Sequence, residues 1–129
     1  MAIKDKVEGY LVDLGLSYNE QGENIWIVYG EEKGLENFIV MIEYPLLVIR
    51  VNVMKALDTD RCAFFEQLLK LNATDLAHGG YGLDGNNVIL VDTLEVETLD
   101  IEELQASIDA IGLALIQHYE LLSRYRKNA

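Results

Sequence analysis

Two adjoining segments of the chain carry apolar side chains at consecutive positions, whereas a strand covered on one side only alternates apolar and polar residues. These segments, 37–44 and 46–54, are rich in valine, isoleucine and aromatic residues, which is typical of β-strands. Successive side chains point to opposite faces of a sheet. In the first strand, one face would carry Phe38, Val40, Ile42 and Tyr44 and the other Ile39 and Met41; in the second, one face would carry Leu47, Ile49, Val51 and Val53 and the other Leu46 and Val48. Both faces of the predicted sheet therefore require cover.

The rest of the sequence predicts an α+β domain with the order α-β-β-β-α-β-β-α. Apolar residues at spacings of three and four predict the helices, and runs rich in β-branched and aromatic residues predict the strands. The expected elements are a helix over 3–14, strands over 25–29, 37–44 and 46–54, a helix from Asp58 to about Leu71, a hairpin of 81–84 and 88–94, and a helix from Asp100. Residues 30–34 separate the first two strands, Tyr44-Pro45 turns between the next two, and Gly85-Asn86-Asn87 forms the hairpin turn.

The last helix has the clearest pattern. Asp100 and Glu103 have the spacing of a capping box, in which each side chain bonds the other residue's backbone N–H. The apolar stripe that follows repeats at helical spacing. Its members are Ile101, Leu104, Ile108, Ile111, Leu115, Tyr119 and Leu122.

The middle helix has more apolar surface than one contact requires. Its apolar side chains sweep out about half of the circumference, wider than the stripe of a helix packed on one sheet. They are Cys62, Phe64, Phe65, Leu68, Leu69 and Leu71. A second contact would explain this width, and a symmetric homodimer is the commonest way to supply one. The alternative is cover by a neighbouring element of the same chain.

Composition restricts the partners. The chain has 22 acidic and 10 basic residues and a net charge of −12, which disfavours nucleic acid and anionic membranes. Its 129 residues suit one domain, 1–129. The single Cys62 excludes an internal disulfide and fits a reducing, cytoplasmic compartment. We expect neither a signal peptide nor a membrane span, because the apolar runs are short.

The residues that could support chemistry form no recognisable site. His78 and His118 lack the spacing of metal ligands, and we expect them in a turn and in the packed helix. Cys62 reads as a small buried thiol. The loop at Gly79-Gly80 lacks the lysine of a phosphate loop, which favours turn geometry. We therefore expect no catalytic residue, no metal and no cofactor, and a protein that is not an enzyme.

The candidate surface for a partner or a second subunit combines two elements. Phe64, Phe65, Leu68 and Leu69 come from the middle helix, and Trp26 and Val28 come from the first predicted strand. Core burial is the favoured interpretation of Trp26. If the first strand lies at a sheet edge, however, Trp26 would suit a peptide anchor.

The second half of the chain resembles the type III secretion chaperone-like group, meaning the Tir chaperone (CesT) family and its YbjN-like relatives. The resemblance rests on Leu68-Leu69-Lys70-Leu71-Asn72, on the run from His78 to Gly85, on Val88 to Val91 and on the helix from Asp100. It implies a homodimer with a twisted antiparallel sheet and the middle helix at the subunit interface. It also implies that a partner's extended segment binds apolar grooves and sheet edges without ATP.

Three functions remain open. The first is a cytoplasmic chaperone or adaptor that holds an extended segment of another polypeptide. The second is a regulatory or scaffold domain that binds a folded partner. The third is a small-molecule binder or enzyme that uses the hairpin and the Gly79-Gly80 loop, and it requires a deep polar pocket.

Overall fold

A computed structural model describes residues 2–30, 35–56 and 58–126. Within these ranges the chain forms three helices and six strands. They are α1 (Ile3–Asp13), β1 (Ser17–Gly22), β2 (Ile25–Gly30), β3 (Leu35–Glu43), β4 (Leu46–Lys55), α2 (Arg61–Thr74), β5 (Gly80–Asp84), β6 (Asn87–Glu95) and α3 (Ile101–Arg126). Of the segment expected to separate the first two predicted strands, residues 31–34 lie outside the described residues.

The strands form one antiparallel sheet in the order β1-β2-β3-β4-β6-β5. Hairpins join the consecutive strands from β1 to β4, another hairpin joins β5 to β6, and α2 connects β4 to β5. This confirms the predicted α+β class. The predicted turns at Tyr44-Pro45 and after Asp84 are present, with Gly85 at a φ of 60° that favours glycine.

The predicted order is wrong by one strand, because β1 precedes the expected meander. Its sequence, Ser-Tyr-Asn-Glu-Gln-Gly, is polar, and every residue except Tyr18 is exposed. β1 pairs with β2 along its length, from Ser17 opposite Tyr29 to Gly22 opposite Ile25. An edge strand of this kind contributes backbone hydrogen bonds and few buried side chains, so it has no apolar alternation to detect.

The hydrophobic core lies on one face of the sheet, which we call the inner face. Buried side chains from all three helices and from the inner face form one cluster. The largest fully buried members are Trp26, Phe38, Phe64, Leu11, Leu47, Ile49, Leu90, Leu104, Ile108 and Ile111. The indole N–H of Trp26 donates to Glu8 Oε2 at 2.9 Å, which ties β2 to α1. The helices therefore form one layer and the sheet the other.

Helix α3 begins with the predicted capping box. The Asp100 N–H donates to Glu103 Oε1 at 3.1 Å, and the Glu103 N–H donates to Asp100 Oδ1 at 2.8 Å. The predicted stripe is correct at Leu104, Ile108, Ile111, Leu115 and Leu122 and wrong at Tyr119, which is 59% exposed. Ala114 and His118 are buried instead. His118 lies seven residues after Ile111 and four before Leu122, so the helical repeat places His118 and not Tyr119 on the buried face.

None of the helices within the described ranges combines the length and the apolar character needed to cross a bilayer.

The capping box should contribute measurably to stability. Asp100→Ala removes the acceptor of the Glu103 N–H, and we expect the free energy of unfolding to fall by about 1 kcal/mol. Glu102→Ala, in the same helical turn but outside the box, should change it by less than about 0.5 kcal/mol. Urea denaturation of both variants measures the difference, and equal losses would contradict this role for Asp100.

Candidate partner-binding surfaces

Helix α2 and strand β5 form an apolar cleft of about 240 Å³. Phe64, Leu68 and Leu71 of α2 are buried toward the core. Phe65 and Leu69 follow Phe64 and Leu68 in the sequence and lie on the side of α2 that lines the cleft, which we call the shoulder of α2. Leu69 is 67% exposed. The cleft is lined by Phe65, Leu68, Leu69, Asn72, Tyr81, Gly82 and Leu83. The wide apolar arc of α2 is therefore not fully covered within the subunit, and a second contact at this cleft stays a prediction.

Asn72 fixes the position of β5 against α2. Its Oδ1 accepts a hydrogen bond from the Tyr81 N–H at 2.7 Å, and its Nδ2 donates to the Tyr81 carbonyl at 3.2 Å. Both backbone groups of Tyr81 face away from β6 and are engaged by one side chain. The outer edge of β5 is therefore closed to another strand at Tyr81.

Beneath the cleft, Tyr81 reaches α3. Its hydroxyl lies 2.8 Å from Nδ1 of His118, which is 3% exposed. The other ring nitrogen, Nε2, lies 3.4 Å from Asp75 Oδ2 at the end of α2, without hydrogen-bond geometry. His118 is thus a packed residue that joins α3 to α2 and β5, as expected from its place near the helical stripe.

The six predicted surface residues divide into two groups. Phe65, Leu68 and Leu69 line the cleft. Trp26, Val28 and Phe64 are fully buried inside the subunit. Trp26 also does not lie on an edge strand, because β1 covers the edge of β2. A partner could affect these three only through the residues packed around them, and their assignment to an interface stays a prediction.

The two edges of the sheet differ. Within the described ranges, β1 has β2 on one side and no strand on the other, and β5 has β6 on one side only. The β5 edge is engaged by Asn72. The residues of the β1 edge from Ser17 to Gly22 are exposed, except for Tyr18. Unpaired backbone groups on an exposed edge can accept an added strand.

The face of the sheet opposite the helices, which we call the outer face, is also apolar. Its central side chains are Ile27, Ile39, Met41, Val48, Ile89 and Val91. None of them belongs to the core cluster or to the partly buried side chains packed on it. Two further side chains at the margin, Ile25 and Leu46, are 37% and 36% exposed. Apolar side chains therefore lie on both faces of the sheet, as the strand pattern predicts. They also lie on two sides of α2, toward the core and toward the cleft.

The structure shows the surroundings of the residues that were considered for phosphate binding, nucleophilic catalysis or metal binding. Gly79 has a φ of 78°, and an added Cβ would lie 2.7 Å from the Val91 carbonyl oxygen, so close packing explains the glycine. Cys62 is exposed, and the expectation of a buried thiol is wrong. Within the described ranges, histidine, cysteine and acidic side chains do not gather in a group able to hold a metal ion.

One layer of three helices on a six-stranded antiparallel sheet defines an α+β protein of the secretion-chaperone fold. The CesT_Tir_1 family model matches residues 2–128, and the chain belongs to this family. A search of curated protein sequences found no significant match.

Solved structures share the fold at low sequence identity. YbjN from E. coli is 12% identical over 90% of each chain, with a TM-score of 0.66. The HopA1–SchA chaperone–effector complex contains a chain 13% identical over 97% of this chain and 94% of that one, with a TM-score of 0.61. The ExoU–SpcU complex of the type III secretion system of Pseudomonas aeruginosa contains a chain 12% identical over 86% and 93%, with a TM-score of 0.61.

The bond pair between Asn72 and Tyr81 is directly testable. In Asn72→Ala, the Tyr81 N–H and carbonyl lose their partner, so we expect the free energy of unfolding to fall by about 1–2 kcal/mol. Hydrogen exchange at the Tyr81 amide should accelerate, while exchange at Leu90 on β6 changes less. Gln67→Ala on the same helix is the control. An unchanged Tyr81 exchange rate would show that Asn72 does not close this edge.

Proposed function

We propose that the protein is a non-catalytic, cytoplasmic protein-binding module, a dimeric chaperone or adaptor that holds an extended segment of another polypeptide. The observation that carries the proposal is the apolar surface that one subunit leaves uncovered on α2. Family membership and the fold shared with chains of chaperone–effector complexes support it. The net charge of −12 favours a basic partner.

In this proposal the shoulder of α2 forms the subunit interface. Phe65 and Leu69 stand on one side of a helix whose other side is already committed to the core. Two copies related by a two-fold axis would place these shoulders against each other and cover both clefts. Arg61, whose guanidinium lies 5.0 Å from the centre of the Phe65 ring, would lie at the rim of this interface.

The extended segment would add to β1. Strand addition draws its affinity from main-chain hydrogen bonds, so it requires an edge with unpaired backbone groups. The β5 edge is occupied at Tyr81 by Asn72, which leaves β1 as the accessible edge among the described strands. The exposed polar side chains of β1 keep such an edge soluble until a partner binds.

A regulatory or scaffold domain that binds a folded partner is the second candidate. The outer face favours it, because an apolar patch on paired strands suits a preformed element rather than an extended chain. The two candidates differ in the ligand: an extended peptide should bind in the first case, and a preformed, folded element in the second.

A single charge on α2 tests the dimer. Leu69→Lys changes a residue that is 67% exposed in one subunit, so the fold should persist. A buried, unpaired ammonium in the interface should weaken dimerisation at least about a hundredfold. The matched control is Leu113→Lys on α3, which is 54% exposed in the subunit and should leave the dimer intact. Sedimentation equilibrium measures the mass, and circular dichroism checks the fold. A monomeric parent protein, or a dimer indifferent to Leu69→Lys, would contradict the proposed interface.

Peptides selected from a random 12-residue display library test the edge. We expect bound peptides to slow amide hydrogen exchange at the β1 residues from Ser17 to Gly22 more than at Tyr81. N-methylation of alternate peptide bonds should abolish binding, because it removes main-chain donors without changing the side chains. Selected peptides that bind equally well when N-methylated, or that protect β5 instead, would rule out strand addition at β1.

A further inference from the structure

The outer-face patch crosses four strands and has no helix packed on it. The register places Ile27 beside Ile39 and Met41 beside Val48, and on β6 Val91 lies beside Arg50 and Ile89 beside Asn52. The patch therefore runs from β2 through β3 and β4 to β6, which is three interstrand steps or about 14 Å. Val48 on β4 and Ile89 at the β6 end are already shielded by their neighbours, whereas Ile25 at the β2 end is 37% exposed.

The backbone under this patch restricts what can bind there. Each of β2, β3, β4 and β6 pairs with a strand on both sides, so their backbone groups are engaged within the sheet. An extended segment laid on the patch would bury its own N–H and carbonyl groups without partners. An α-helix satisfies its backbone internally and presents only side chains. About ten residues of helix, close to three turns, would span 14 Å.

The charges beside the patch favour a basic partner. Glu43 and Glu95 flank Leu46 in the row next to Met41 and Val48, and both carboxylates are exposed. Arg50 lies within the patch, in the row of Ile39 and Val91, and its guanidinium is paired with Asp84. A helix lying across the strands would pass one flank over the two glutamates, where lysine or arginine gives complementary charge.

A second copy of the chain suits the patch less well than a basic helix. It would bring another net charge of −12 to a surface that already carries exposed carboxylates. Its own Arg50 is committed to Asp84, so its outer face would offer that guanidinium to Glu43 or Glu95 only by breaking an ion pair.

We propose that the outer-face patch binds an amphipathic α-helix of a partner polypeptide, with lysine or arginine along the flank that passes over Glu43 and Glu95. The proposal rests on the proposed function, since it assumes a polypeptide partner, but it assigns this partner a helical element at a surface separate from β1 and the α2 cleft.

The probe is a synthetic amphipathic peptide of about 14 residues with a leucine face and a lysine flank, labelled with fluorescein. Fluorescence anisotropy measures its affinity for the full chain. Two further peptides are compared, one with glutamate in place of lysine and one of the same composition with a central proline that breaks the helix. The lysine helix should bind at least about tenfold more tightly than either.

Charge reversal on the protein gives the sharpest contrast. Glu43→Lys/Glu95→Lys should weaken the lysine peptide about fivefold or more and strengthen the glutamate peptide. The matched control, Asp13→Lys/Glu120→Lys, makes the same change in net charge at exposed positions of α1 and α3, and should have a much smaller effect. Equal effects of the two double variants would mean unspecific charge attraction and would overturn the proposal.

The methionines report where the peptide binds. Met41 lies on the outer face, whereas Met54 packs on the core. With methyl-labelled methionine, the lysine peptide should shift the Met41 methyl resonance and leave that of Met54 in place. In Ile25→Lys, on the same face, the Met41 shift should require at least about tenfold more peptide.

The remaining results show whether a partner helix, or instead a second copy of the chain, covers the outer-face patch. A Met41 resonance that is unmoved by the lysine peptide, while selected extended peptides still protect β1, would overturn this inference and leave the proposed function standing. Loss of the dimer in Ile25→Lys would show that a second copy covers the patch, which would also overturn the inference. A Met41 shift without any binding at β1 would support the helix site and count against the extended-segment function.

Discussion

The placement of all three helices on the inner face of the sheet determines the other surfaces of the molecule. Because Trp26, Phe38 and Ile49 point toward the helices, the side chains between them must point the other way. Those intervening residues are apolar too, and no described helix reaches them. A sheet with two apolar faces and one helical layer has surface left for another polypeptide, and in such a fold function depends on what covers it.

Because all three helices lie on the inner face, three different surfaces remain for recognition of a partner. The cleft between α2 and β5 offers a concave apolar surface, the β1 edge offers backbone groups, and the outer face offers an apolar patch with carboxylates at one border. Asn72 determines which edge can bind, because it occupies the backbone of Tyr81. Under the proposed function, the domain would hold different parts of one partner at once, which would raise the effective concentration of each.

The sequence was sufficient for the parts of the fold that depend on buried side chains. The strand pattern correctly predicted two apolar faces, and Asp100 with Glu103 correctly predicted the start of α3. It failed at β1, which is held by backbone pairing and has polar side chains. That omission also made Trp26 a candidate edge residue, although β2 lies inside the sheet. The clamp by Asn72 on Tyr81 depends on tertiary contact across nine residues of chain, and the sequence gives no local signal for it.

The central claim is that apolar surface left by one subunit provides the energy of partner binding. Isothermal titration calorimetry of a selected peptide at several temperatures tests it most directly, since burial of apolar surface lowers the heat capacity. Burial of several hundred Å² of apolar contact should change the heat capacity by on the order of −0.1 to −0.3 kcal/mol/K. A change near zero, with affinity that disappears in high salt, would show that charge alone attracts the partner and would contradict the account.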